Sequence, residues 1–137
     1  MRGQTGIELM VFIGILLVVF VVFMAVANTK REDVERDVGI LSAKQVVETA
    51  SSHINSAVSV GDGYHATFLL PVTLQNGVSY TLQFVPGNQR VYIQWEEKEW
   101  SSPILTSNIH DCTGACNPFA VGENTVENKG GEIWISN

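Results

Sequence analysis

Residues 9–27 read LMVFIGILLVVFVVFMAVA, nineteen consecutive positions without a charge, an amide or a hydroxyl. As an α-helix rising 1.5 Å per residue the block is about 28 Å long, close to the roughly 30 Å of bilayer hydrocarbon, so it can cross a membrane. It also lifts the hydrophobic fraction of the 137-residue chain to 45%, and what remains has the composition of an ordinary polar domain. A secretory signal has a shorter apolar region, about 7–15 residues, followed by a small-x-small cleavage site. Ala25-Val26-Ala27 supplies such a site, but the block is too long and an acid, Glu8, stands where a signal peptide has bases. Arg2 on one side faces Lys30 and Arg31 on the other, so positive charge does not fix orientation.

Directly before the block stands Arg2-Gly3-Gln4-Thr5-Gly6-Ile7-Glu8. A carboxylate near the centre of a membrane helix costs roughly 2.5–3.5 kcal/mol on insertion scales and less at the edge, so an acid at this border usually has a role. The stretch resembles the processing site of type IV pilins, and more closely that of archaeal pilins with a class III signal, in which a glycine precedes Gln-x-Ser-x-Glu and a long apolar helix. Gly6 stands where that family usually has serine. The resemblance implies a leader of residues 1–3, removed between Gly3 and Gln4 by a prepilin peptidase. It also implies that the new amine of Gln4 offsets Glu8 on a neighbouring subunit and so sets axial register.

No proline occurs between residues 4 and 60, so one helix can run that whole length. Beyond Lys30 the pattern turns amphipathic: Ile40, Ala43, Val47, Ala50, Ile54 and Ala57 recur at spacings of 3 and 4 and form one stripe, whose small residues suit a sheet lying close. Lys30 to Asp37 reads as a solvated mixed-charge collar, and Gly14 and Gly39 as possible bending points. Gly61-Asp62-Gly63 ends the helix.

Strands are expected over Tyr64–Leu70, Val78–Val85 and around Val91, Ile93 and Trp95, with shorter ones at Trp100–Thr106, Asn124–Glu127 and Glu132–Ser136. Asn76-Gly77 is a hairpin signal, and short connections imply antiparallel pairing. The fold class expected is α+β: a long helix over residues 4–60 and an antiparallel β-sheet or sandwich head over residues 61–137. Leu70-Pro71 followed by Asn76-Gly77-Val78-Ser79-Tyr80-Thr81 also resembles the start of the β-head in the same pilins.

Residues 61–137 carry three bases against eight acids and hold nearly all of the net charge of −6. That excludes the basic footprint of nucleic-acid binding, so no nucleic-acid partner is expected. Cys112 and Cys116 lie in the segment projected outside the membrane, where disulfides persist, and a Cys112–Cys116 bridge is expected. A metal site from His110, Asp111, Cys112 and Cys116 is the sharper alternative, but its spacing matches no common zinc pattern. No metal and no cofactor are expected. His53, His65 and His110 are scattered, and no nucleophile elbow, H-E-x-x-H or phosphate loop accompanies them, so an enzyme is not expected either. Trp95, Trp100 and Trp134 read as core before carbohydrate platform, and Glu96-Glu97-Lys98-Glu99 as a solvated hairpin tip.

The resemblance implies a structural subunit of an archaeal type IV pilus-like surface filament, held in the membrane by residues 9–27 until assembly. Its implied partners are identical subunits, the prepilin peptidase, the membrane, an assembly ATPase and a platform protein. Two other readings stay open on the sequence: a minor pilin or single-pass anchored β-domain acting as an adhesion or binding module, and a secreted domain released at Ala27.

Overall fold

The computed structural model describes residues 4–137. One α-helix, α1, runs from Gln4 to Val60, and the chain divides into two compact units, one ending at Asp37 and the other beginning at Val38. Among the described residues the first consists of α1 alone. Its large apolar side chains from Ile7 to Val26 are all at least half exposed, from 51% at Met24 to 78% at Met10.

In the second unit α1 has one buried stripe. Ala43, Val47, Ala50, Ile54 and Ala57 are fully buried, as the spacing predicts, while Ile40 at the edge is half-buried. Full burial of a side chain such as Val47 or Ile54 contributes roughly 1.5–3 kcal/mol. Gly39 also belongs to this packed face: a Cβ there would meet the Asn76 amide at 2.5 Å, so close approach accounts for this glycine. The helix stops at Gly61, whose φ of 91° is open to glycine and strained for other residues. The Ala57 carbonyl at this last turn accepts bonds from Gly61 N at 3.1 Å and from buried Asn128 Nδ2 at 2.9 Å.

The stripe packs on six strands in two antiparallel sheets of three, an α+β fold. One sheet has the order β1-β5-β6, built from His65–Leu70, Gly122–Lys129 and Glu132–Ser136. The other has the order β2-β3-β4, built from Thr81–Val85, Arg90–Trp95 and Lys98–Pro103. Alternation sorts the side chains. Leu82, Phe84, Val91, Ile93 and Trp95 face the core from the second sheet, and Phe68, Leu70, Val126 and Ile133 from the first.

The Asn76-Gly77 signal needs correction. It does form a turn, closed by Gly77 N to Leu74 O at 2.8 Å and Leu74 N to Val78 O at 2.9 Å, with Gly77 at φ 80°. Yet it does not join paired strands: β1 pairs with β5, His65 opposite Glu127, and β2 pairs with β3. The turn carries the chain from one sheet to the other. Strand pairing here is decided by burial of Phe68 and Leu70 beside Val126, which a local turn preference does not control.

Segment 108–116 joins the two sheets at their inner edges. Ile133 N donates to Asn108 O at 3.1 Å and His110 N to Ile133 O at 2.8 Å, which fixes the segment to β6. Phe84 N donates to Cys116 O at 2.7 Å and Cys116 N to Phe84 O at 2.9 Å, which fixes its other end to β2. That leaves β1 and β4 as the outer strands. They lie on opposite flanks of α1: His53 stacks on Phe68 of β1, while Ser51 donates to Ser102 and Asn55 Nδ2 to the Pro103 carbonyl of β4.

Candidate functional site

Within the first unit the site is the uniformly apolar surface of α1 and the acid at its border. Among the described residues one helix is thus long and apolar enough to cross a membrane. A helix satisfies its backbone hydrogen bonds internally, so what this segment leaves unmet is cover for side chains on every face. Glu8 is exposed and stands directly before Leu9, at the border of the apolar surface. Gln4 begins the helix. Gly3, the other half of the expected cleavage site, and the leader of residues 1–3 lie outside the described residues. The collar from Lys30 to Asp37 is exposed almost throughout.

Cys112 and Cys116 are joined by a disulfide, their Cα atoms 5.7 Å apart. The sulfurs are therefore engaged with each other, and among the described residues no three His, Cys, Asp or Glu side chains meet where they could hold a metal ion. The bridge closes a five-residue loop, but its place is more than local. It binds the stretch paired with β6 to the residue paired with β2, so it clasps the seam between the sheets.

The three tryptophans divide. Trp95 is core, with its indole N–H unpartnered. Trp100 lies opposite Ile93 on the inner side of an outer strand, 44% exposed, with Lys44 Nζ 4.1 Å from its ring centre. Trp134 is on the outer face, because it alternates with inward Ile133 and Ile135. His110 stacks on its ring at 3.3 Å between centroids, and Lys129 lies 4.8 Å from the ring centre. With those neighbours Trp134 offers no open platform for a sugar.

Around it runs a polar network that local sequence signals do not announce. His110 contacts Glu132 at 3.3 Å and Asp111 at 3.5 Å, and the Trp134 indole donates to Glu132 at 3.2 Å. His65 lies 2.9 Å from Glu127, which also pairs with Lys129. Hydrogen bonds from Lys129 and then His65 hold the Glu127 carboxyl below its ordinary range. Register could have found these pairs, since Glu127 lies opposite both His65 and Trp134. None of them surrounds a nucleophile or a deep cleft.

Compared with models of protein families, with curated proteins and with solved structures, the chain matches none. A long apolar N-terminal helix whose distal part packs on a small antiparallel β head is a pilin-like architecture.

Proposed function

We propose that the chain is a structural subunit of an archaeal type IV pilus-like surface filament, processed between Gly3 and Gln4 and assembled through its N-terminal helix. The observation that carries this reading is the uncovered apolar surface of α1 from Leu9 to Ala27, bordered by Glu8 and continuous in one helix with a folded β head. Such a helix can be held in lipid first and in a bundle of its own kind later. Lipid is about as apolar as the bundle, so transfer between them gains little hydrophobic energy, which is why an assembly ATPase and a platform protein belong to the proposal. Repetition of one heterologous contact by a helical operator then gives an open fibre instead of a closed ring.

Glu8 gives the reading its test. Inside a bundle its carboxylate needs a counter-charge, and the Gln4 amine of a neighbour is the one proposed. Removing one partner of a buried pair costs about 3–5 kcal/mol, repeated at every subunit contact. Glu8→Ala should therefore leave a mature chain that begins at Gln4 in the membrane and should abolish filaments seen by electron microscopy. A plain membrane anchor requires normal behaviour of Glu8→Ala, and a mature chain starting at Asn28 would refute the reading outright.

A further inference from the structure

We infer that neighbouring heads dock on one another flank to flank, the β1 side of one copy against the β4 side of the next. The inference rests on the filament reading and names a second contact for it, away from the apolar helix. Its basis is the distribution of charge and of exposed apolar side chains over residues 38–137.

The head is acidic, with eight acids against three bases beyond residue 60, so two copies repel wherever charged surface meets charged surface. Those charges are sorted. Glu123, Glu127, Lys129 and Glu132 alternate with the inward residues of β5 and β6 and so lie on the outer face of their sheet; Arg90 and Glu99 do the same on the other. Glu96 and Glu97 form the β3–β4 turn.

The flanks are different. Residues 66–89 form an unbroken run of 24 without a charge, and it supplies β1, the turn after it and β2. Here a groove of about 260 Å³ opens between α1 and the end of β1, floored by Val46, Leu70 and Leu74, and none of its lining residues is charged. Leu69, which lines it, and Val72, between its lining residues Pro71 and Thr73, are 71% and 74% exposed. The nearest charge in register is Glu123, opposite Leu69, at the rim of the patch.

The opposite flank is a second uncharged run, residues 100–109, with Leu105 64% exposed and Trp100 half-covered by Lys44. The two flanks are set apart by the helix. The groove uses Ser42, Gln45, Val46 and Thr49, whereas Lys44, Ser51 and Asn55 touch Trp100, Ser102, Pro103 and Leu105. At 100° per residue those two sets point roughly 150° apart around α1.

Two apolar patches on opposite sides of one acidic domain, one with no charge in its lining and the other with Lys44 over Trp100 as its charge, suit a heterologous contact. Each copy offers one patch forward and one backward, and loss of charge at the centre with polar groups at the margin is the compositional mark of an interface. An isologous contact would use only one of the patches and would leave the other bare. The occupant of the groove is thus a second copy, with Leu105 as its apolar projection.

The test uses the full chain in cells that assemble it. Its two native cysteines are bonded to each other, so added thiols have no background. Filaments of the double variant Val72→Cys/Leu105→Cys, oxidised with diamide, should give a ladder of covalent multimers, and each single variant should give none. A dimer from either single variant would overturn the heterologous contact. Absence of a ladder from filaments of normal yield would overturn the contact altogether. Independently, Val72→Asp should lower filament yield at least about tenfold, because it sets a charge in a desolvated contact between acidic partners, while Gln83→Glu on the outer face of β2 should not. Equal yields from the two would also refute the contact. If the unsubstituted chain never polymerises, the filament reading fails and takes this one with it, an outcome told apart because it needs no variant.

Discussion

Along α1, every large side chain from Leu9 to Val26 is at least half exposed, whereas Ala43, Val47, Ala50, Ile54 and Ala57 of the same helix are fully buried. The backbone is alike in both stretches, and so is its hydrogen bonding. What differs is the number of faces that must be covered. The later stretch confines its apolar residues to one stripe, which two small sheets suffice to cover, and leaves Gln45, Glu48 and Ser52 to water. The earlier stretch is apolar all round, so no single packed partner can satisfy it; it calls for a continuous apolar medium, either lipid or a ring of similar helices. Stability of the head and, on the proposed reading, placement in a membrane are therefore assigned to separate residues, and each should be open to perturbation without the other.

The largest effect is expected from Ile54→Ala. Ile54 is fully buried in the core, and truncation of such a side chain costs roughly 2–5 kcal/mol. All three tryptophans lie in the head, so denaturant unfolding in detergent micelles, followed by their fluorescence, reads this loss alone. Membrane extraction of the variant should match that of the parent chain. A midpoint unchanged from the parent would break the comparison, because the stripe would then contribute nothing.

Leu17→Arg should do the reverse. An arginine at the middle of a spanning helix costs about 2.5–3.5 kcal/mol on insertion scales, which corresponds to a fall of about a hundredfold in the insertion equilibrium. The chain should move from the membrane to the soluble or degraded fraction, while the tryptophan-monitored unfolding midpoint of what remains stays where it was. A shifted midpoint would mean that the apolar block supports the head after all.

Much of this division is legible in the sequence because both helix patterns are local. Nineteen uncharged residues and a stripe spaced by threes and fours each report on one element's surroundings. Strand alternation is local as well, and it places Val91, Ile93 and Trp95 together in the core. Alternation also sets Trp134 outside, between Ile133 and Ile135, against the core position that its residue type suggests. What sequence could not supply is which strands meet. Pairing of His65 with Glu127 spans the length of the head, and the turn at Asn76-Gly77 contains nothing that says whether its flanking strands share a sheet. Buried Asn128 is unreadable for the same reason, since its two partners, the Ala57 carbonyl and Gly131 N, are brought to it by the fold. The candidate site was legible only in its helical part; the sheet seam and the two flanks depend on tertiary placement.

The smallest effect separates the two regions by pH. No titratable group lies between Leu9 and Ala27, so alkali has nothing there to ionise, whereas the head holds Tyr80, half-buried, its hydroxyl donating to the Pro71 carbonyl at 2.6 Å. Burial pushes this phenol from its ordinary 10.0 to about 12. Because the folded chain resists ionisation that the unfolded chain permits, the associated stability is complete below pH 10 and is lost as pH rises from 10 through about 12. Tyr80→Phe should cost about 1 kcal/mol at neutral pH through loss of the hydrogen bond, and should then show a shallower decline above pH 10 than the parent chain. Membrane partition of both proteins should not change over that range. The deciding quantity is the difference between the two unfolding curves, which removes the contributions of lysines and of Tyr64 and Tyr92 common to both. Parallel decline of parent and variant would show that the Tyr80 hydroxyl is as free in the folded head as in the unfolded chain, and the contrast between a titratable head and an inert helix would then have to rest on other groups.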